Sequence, residues 1–390
     1  MKRQKIFSAA LIALLSFAIY FAFSYKQKQN LDYFVPLANS LIHGRLDISF
    51  QPPFNELVPV GGKYFVIYPP MPAVVLIPAV AIMGLNFNQV WASIFLAALS
   101  VGLFYLLIER FIQKRWVVLS TTALFGFGTN FFFTSLSGIP WYFAHIVAIF
   151  FLLLALLAAT ADKPRPTLAG LFLAGAFLSR LPTVLSIPIF IYLILLILKE
   201  SRSENRAKTI AAFFAPIIIA ILLFALYNWT RFGSPFQTGY SLIPGVLQEP
   251  WYTHGIFSLH YIPRQLSAIF LKMPKIMGKF PFVQPSNIGM ALWLTTPALL
   301  LLPFAKSKKY KLIWFYLTAL LVAAPLLVHG TVGFTQFGYR HSLDFILFLL
   351  IPLAFTFERL GQKISLTFVG LCLLINFWSA LLFLLGILRY

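Results

Sequence analysis

Charge is scarce in this 390-residue sequence: 10% of its residues are Asp, Glu, Lys or Arg, against about 25% in a soluble domain. Acid is scarcest, with ten Asp and Glu against thirty Lys and Arg. The single cysteine, Cys372, lies inside an apolar run, which excludes an intrachain disulfide. No two His or Cys residues stand at metal-ligand spacing, and neither a Gly-rich phosphate loop nor a Ser-His-Asp arrangement is present. Nothing implies a metal or other cofactor. No stretch is polar over a domain's length, so nucleotide-sugar chemistry on a soluble domain is excluded.

What is present is apolar. The chain is 60% hydrophobic and 17% aromatic, and runs long enough to cross about 30 Å of hydrocarbon recur along it. It reads as an all-α polytopic membrane protein. A formal charge of +20 could suggest nucleic acid, but the basic residues cluster between apolar runs. That is the pattern of the positive-inside rule, and no nucleic-acid partner is expected.

Lys2, Arg3 and Lys5 precede the run Ile6–Ser24, which has no small-residue cleavage site after it. It is expected to be an uncleaved anchor with a cytoplasmic N-terminus. Residues 25–68 then face outward. Leu31, Phe34, Val35, Ala38, Leu41 and Ile42 repeat at helical spacing until Gly44, which predicts a short amphipathic helix on the membrane with Asp32 in its first turn. Pro36 is tolerated near a helix start. The piece 69–86 carries prolines at 69, 70, 72 and 78. If it crossed, the later basic turns would land outside, so it is expected to stay juxtamembrane or re-entrant on the outer side.

Further spans are expected at 89–109, 116–136, 140–161, 166–180, 182–199, 209–228, 286–304, 311–328, 342–357 and 364–387, about eleven with the first. Arg180-Leu181-Pro182 should break the middle pair. Fifteen of the thirty basic residues fall in the turns 110–115, 162–165, 199–208, 305–311 and 358–363, and the N-terminus holds three more. The whole is one integral membrane domain. It comprises a module 1–228 with the outer loop 25–88, an outer capping loop 229–285, and C-terminal helices 286–390.

Sorting the carboxylates by side isolates the candidates. Glu109, Asp162, Glu200, Glu204 and Glu358 each adjoin a basic residue in an inner turn and read as solvated helix-end charges. Asp32, Asp47, Glu56, Glu249 and Asp344 are left on the outer side. Asp344, four residues after Arg340, is expected to pair with that arginine and position it. Arg180 and Arg340 stand at ends of apolar helices, where an uncompensated charge is costly. A lipid phosphate would suit either, through bidentate bonds. His145 sits one turn into a span, as a candidate site residue or as a hydrogen-bonded core histidine.

Several of these stretches resemble a known family. Asp32-Tyr33 with Leu37-Ala38, Leu41 and Gly44, then Tyr68-Pro69-Pro70-Met71-Pro72, is similar to the first outer loop of the membrane-embedded GT-C glycosyltransferases. The nearest group is family 39, the protein-mannosyltransferase and aminoarabinose-transferase-like enzymes. Trp141 to His145, Gly170 to Arg180, Phe232-Gly233-Ser234 to Gly239-Tyr240, and Gln336 to Arg340 with Asp344 are further similar pieces. Tyr33 replaces a frequent Glu, and Tyr68 stands where the family often has Lys, leaving Lys63 or Arg45 as the cation beside Asp32.

The resemblance implies a GT-C-like bundle in the plasma membrane that transfers a sugar from a polyprenyl-phosphate-linked donor, inverting the anomeric carbon, on the extracytoplasmic face. The acceptor is open: a lipid, glycan or protein. Such transfer needs a base for the acceptor proton, here Asp32 with Asp47 as its partner. It also needs cations for the departing lipid phosphate, here Arg340, Arg264 and Lys272. Tyr68, Lys63, Tyr240, Arg180, His145 and Asp344 complete the expected binding set. A lipid-linked glycan polymerase or ligase is a variant of this reading. A lipid transporter or flippase would place charges at the bilayer midplane and show two related halves. A non-catalytic lipid-binding protein would tolerate loss of Asp32.

Overall fold

The structure, a computed structural model, describes residues 2–27, 31–48, 56–200 and 205–388. Its first half runs α1 (Lys2–Ser24), α2 (Phe34–Ile42), a hairpin of β1 (Leu57–Val60) and β2 (Lys63–Val66), α3 (Met71–Met83), α4 (Gln89–Phe111), α5 (Arg115–Phe127), α6 (Asn130–Ser137), α7 (Pro140–Ala159), α8 (Pro166–Phe177), α9 (Ile187–Glu200) and α10 (Arg206–Phe232). The rest is α11 (Ile262–Phe270), a small hairpin of β3 (Lys275–Ile276) and β4 (Val283–Gln284), α12 (Leu292–Thr295), α13 (Ile313–Leu327), α14 (Ile346–Leu360) and α15 (Gln362–Leu384).

Six of the described helices are long and apolar enough to cross a membrane, or seven if the bent pair α5–α6 is one span. The protein is thus a polytopic membrane protein. The expected spans 166–180, 286–304, 311–328 and 342–357 are shorter helical pieces, so a count of eleven is not established by length. Residues 286–304 depart most from expectation. Helix starts only at Leu292, and Pro297–Phe304, with Pro297 at its first position and Pro303 inside it, is a 3₁₀ helix. The expected continuous span 116–136 bends by 46° at Thr129, whose hydroxyl accepts from Phe131 N–H and caps α6.

Helix α7 forms the centre and is buried on all sides, whereas α10 shows Ile218, Leu222 and Leu226 outward. Exposed apolar faces of this kind suit a hydrocarbon solvent. Close approach rests on small residues: a Cβ at Gly102 on α4 would meet the Ala9 carbonyl of α1 at 2.7 Å.

The predicted helix after Leu31 exists, and Gly44 (φ 68°) follows its end. It does not lie on the membrane, however. Phe34, Val35, Leu37 and Ala38 are fully buried among Leu57, Val66, Ala73, Leu76, Phe143 and Val147. An apolar stripe marks a face to be covered; the hairpin, α3 and α7 supply the cover. At thirteen residues, α3 is about 20 Å long, too short to span alone.

The loops sort into two ends. At one end Val58 and Ile67 pack with Ile243, Val246 and Tyr252, and Arg231 donates to the Val66 carbonyl at 2.5 Å. The hairpin of β1 and β2 and the loop 229–285 therefore share this end. At the other, Lys5 pairs with Glu109 at 3.4 Å, Lys114 with Glu358 at 3.6 Å, and Arg359 donates to the Phe304 carbonyl. Asn88 and Gln113, at the two ends of α4, lie on opposite sides. In a Cys372→Ser background, a cysteine at 88 is expected to react with an impermeant maleimide from outside, and one at 113 only after permeabilisation. The reverse pattern would invert the orientation assigned from charge.

Candidate functional site

At the loop-bearing end a cavity of about 1100 Å³ opens. One flank is apolar, formed by Leu181, Pro182, Val184 and Leu185 of the 3₁₀ turn Leu181–Ser186, with Pro325 and Leu326 of α13. The break at Arg180-Leu181-Pro182, legible in the sequence, is what brings this turn to the wall. The lining also includes Glu56, Tyr68, Gln237, Tyr240, Trp251, Tyr252, His329, Arg340 and His341.

Below these polar residues lies a buried ionic cluster. Arg180 grips Asp344 through Nε (3.1 and 3.2 Å) and Nη2 (2.8 Å). His145 Nδ1 meets the other face of that carboxylate at 2.8 Å. His341 Nδ1 lies 3.3 Å from Arg180 Nη2. The expected Arg340–Asp344 pair is not formed, since both Asp344 oxygens are engaged by Arg180 and His145. Residues 340–344 form a 3₁₀ helix. At three residues per turn, positions i and i+4 point about 120° apart.

Arg340 is placed differently. Its Nη1 donates to the Phe334 carbonyl at 3.2 Å, and the guanidinium lies about 6 Å from the Trp141 and Tyr142 rings. Among the described residues no carboxylate comes within ion-pair distance of it. Gly333 (φ 87°) makes room, because a Cβ there would meet Arg340 Cζ at 2.6 Å. A guanidinium on a cavity wall without a paired carboxylate is ready for an anion.

Two acids, Glu56 and Glu249, line the cavity, and Glu56 Oε2 accepts from Tyr68 Oη at 2.5 Å. Burial pushes Glu56 above the usual carboxylate range, opposed by the Tyr68 bond and by the charge of Arg340. Burial also drives Tyr240 up to about 12 and His329 down to about 4, so both are neutral near pH 7.

Asp32 lies just before α2 rather than in its first turn, and its Oδ1 accepts from Val35 N–H at 3.0 Å. It is not part of the cavity wall, but the next residue, Tyr33, stacks on Tyr68 with centroids 6.4 Å apart. Burial pushes Asp32 up to about 7, partly offset by the Val35 and Phe34 amides. Arg45 (3.6 Å) and Lys63 (3.8 Å) both pair with Asp47, so the cations expected beside Asp32 bind another acid, and Asp47 is held in the hairpin lobe.

Arg264 is also fixed elsewhere. It donates to the Trp251 carbonyl at 2.9 Å and to that of Gly330, tying the capping loop to the turn 329–331. Lys272 follows α11 and is not on the cavity wall. Of the expected binding residues, the cavity thus gathers Arg340, Arg180, Tyr68 and Tyr240. It adds Glu56, which the sorting of carboxylates had singled out, and His329 and His341, which sequence reasoning left out. For the histidines the available signal was rarity: three of six, His145, His329 and His341, gather at the cavity or just beneath it.

A polytopic helical membrane protein with a large mixed cavity at one end is the class these features define. No protein-family model matches the sequence, and no curated protein gives a significant match. The fold is similar to the crystal structure of the Archaeoglobus fulgidus oligosaccharyltransferase in its apo form. The TM-score is 0.50 and the identity 13%, with 98% of this chain and 55% of that chain covered. This chain spans about half the length of that enzyme, and the likeness is one of fold alone.

Proposed function

We propose that this protein transfers a glycosyl group from a polyprenyl-phosphate-linked donor to an acceptor nucleophile, in the cavity and on the extracytoplasmic face. The observation that carries the reading is the cavity's mixed lining. Apolar side chains suited to a lipid tail share it with Arg340, Glu56 and Tyr68. The likeness in fold to an oligosaccharyltransferase agrees with it, and the gathering of basic turns at the opposite end supports the orientation.

In this reading Arg340 binds the phosphate through its planar fork and stabilises the charge that grows on it as the sugar–phosphate bond breaks. Arg180, held by Asp344, presents its remaining edge to the same space. Asp32, behind the cavity wall beside the Tyr33–Tyr68 stack, takes the proton of an acceptor that enters on that side, and its value near 7 suits a base working at neutral pH. Attack opposite the leaving phosphate inverts the anomeric carbon. Glu56 is a second choice for the base, favoured by its place on the cavity wall.

The test is the purified protein reconstituted with a panel of radiolabelled polyprenyl-phosphate sugars and membrane extract as acceptor source. Label is expected in acceptor, with stoichiometric release of polyprenyl phosphate. Binding of polyprenyl phosphate without turnover of any donor would leave a lipid-binding protein. Movement of intact donor across vesicles would make it a transporter.

A further inference from the structure

We infer that residues 262–284, made of α11 and the β3–β4 hairpin, form a foot that inserts into the lipid leaflet and binds anionic headgroups, rather than a solvated part of the capping loop. The inference rests on the membrane class and not on the proposed reaction.

Three observations carry it. The first is depth. Phe280, at the hairpin tip, stacks edge-on against Trp378 at 5.7 Å, and Trp378 Nε1 donates to the Val283 carbonyl at 3.3 Å. Trp378 lies six residues before the end of α15, about 9 Å along the helix. The tip therefore lies against the flank of a spanning helix, not above its end.

The second is composition. Leu271, Met273, Ile276, Phe280 and Phe282 all point outward, with Ile276 81% and Leu271 71% exposed. Such side chains are costly in water and favourable at an acyl boundary. The third is charge. Lys272, Lys275 and Lys279 punctuate the apolar residues, and the sequence has no acid between Glu249 and Asp344. Interfacial lysines with no acid in their stretch of sequence suit anionic lipid, each worth roughly a fivefold change in affinity.

The foot is also rigidly tied to the cavity. Gln265, on the buried side of α11, donates to the His329 and Thr331 carbonyls at 2.8 and 2.9 Å and accepts from Tyr339 Oη at 2.9 Å. Its depth is therefore set by the body of the protein.

The experiment places an environment-sensitive NBD label on Ile276→Cys in the full-length Cys372→Ser protein, reconstituted in phosphatidylcholine vesicles with or without phosphatidylglycerol. Blue-shifted emission is expected, shielded from iodide, with nitroxide-labelled phosphatidylglycerol quenching more strongly than nitroxide-labelled phosphatidylcholine at the same fraction of lipid. Replacing Lys272, Lys275 and Lys279 by Gln should remove the preference for phosphatidylglycerol while the protein stays monodisperse. Emission and iodide quenching equal to those of a label on Lys163→Cys, in an exposed turn at the opposite end, would overturn the inference. So would label self-quenching that follows the protein-to-lipid ratio and ignores lipid charge, which would assign the face to a second copy of the chain.

Discussion

Asp32→Asn is expected to lower sugar transfer by at least two orders of magnitude while the protein stays folded and still binds polyprenyl phosphate. The amide keeps an oxygen to accept from Val35 N–H, so the cap on α2 survives. What is lost is the capacity to take a proton, which typically contributes about a hundredfold to ten-thousandfold. Wild-type transfer should rise with pH through about 7, where Asp32 ionises, and the residual rate of the variant should lack that step.

Stability should move the other way. The folded-state value of Asp32 lies above its ordinary value of 3.8, so its contribution is full below about 4 and is lost as pH rises through about 7. The Asn side chain carries no such cost, and the variant's thermal midpoint relative to wild type should rise over that window. Near-normal transfer by Asp32→Asn, with loss in Glu56→Gln, would move the base to the cavity carboxylate. Tolerance of both changes would end the glycosyltransferase reading.

Arg340→Ala is the second large effect. Loss of a donor aimed at developing charge costs about a hundredfold to a thousandfold in kcat, and donor KM should rise as well. Arg340→Lys keeps the charge but not the fork, and should fall between. Neither should unfold the protein, because Arg340 has no buried ion-pair partner among the described residues to orphan. Asp344→Asn supplies the contrast. It leaves Arg180 largely buried without its counter-charge, a loss of about 3–5 kcal/mol, and should act through stability in detergent before it acts on donor binding. Equal donor affinity in wild type and Arg340→Ala would remove Arg340 from the phosphate site.

The sequence by itself determined the solvent and most of the elements. Scarce charge and long apolar runs leave helices in lipid as the way to satisfy every backbone amide. Gly44 marked the end of α2, and the proline at 182 marked the break before α9. The spacing of basic clusters implied that loops 25–68 and 229–285 share an end, because charge placement follows crossing parity. Local pattern carries such information since each signal lies within a few residues of its effect.

Only the tertiary structure decided which polar groups meet. Asp344 found Arg180 from 164 residues away, and His145 from 199, while the neighbour four residues off was turned aside by 3₁₀ geometry. Arg45 and Lys63 went to Asp47, which lies on the same lobe. Glu56 and His329 came to one cavity because the hairpin and the turn after α13 pack at one end of the bundle. A charge buried in a low-dielectric interior takes the partner that packing sets beside it, and proximity along the chain has little say in that choice.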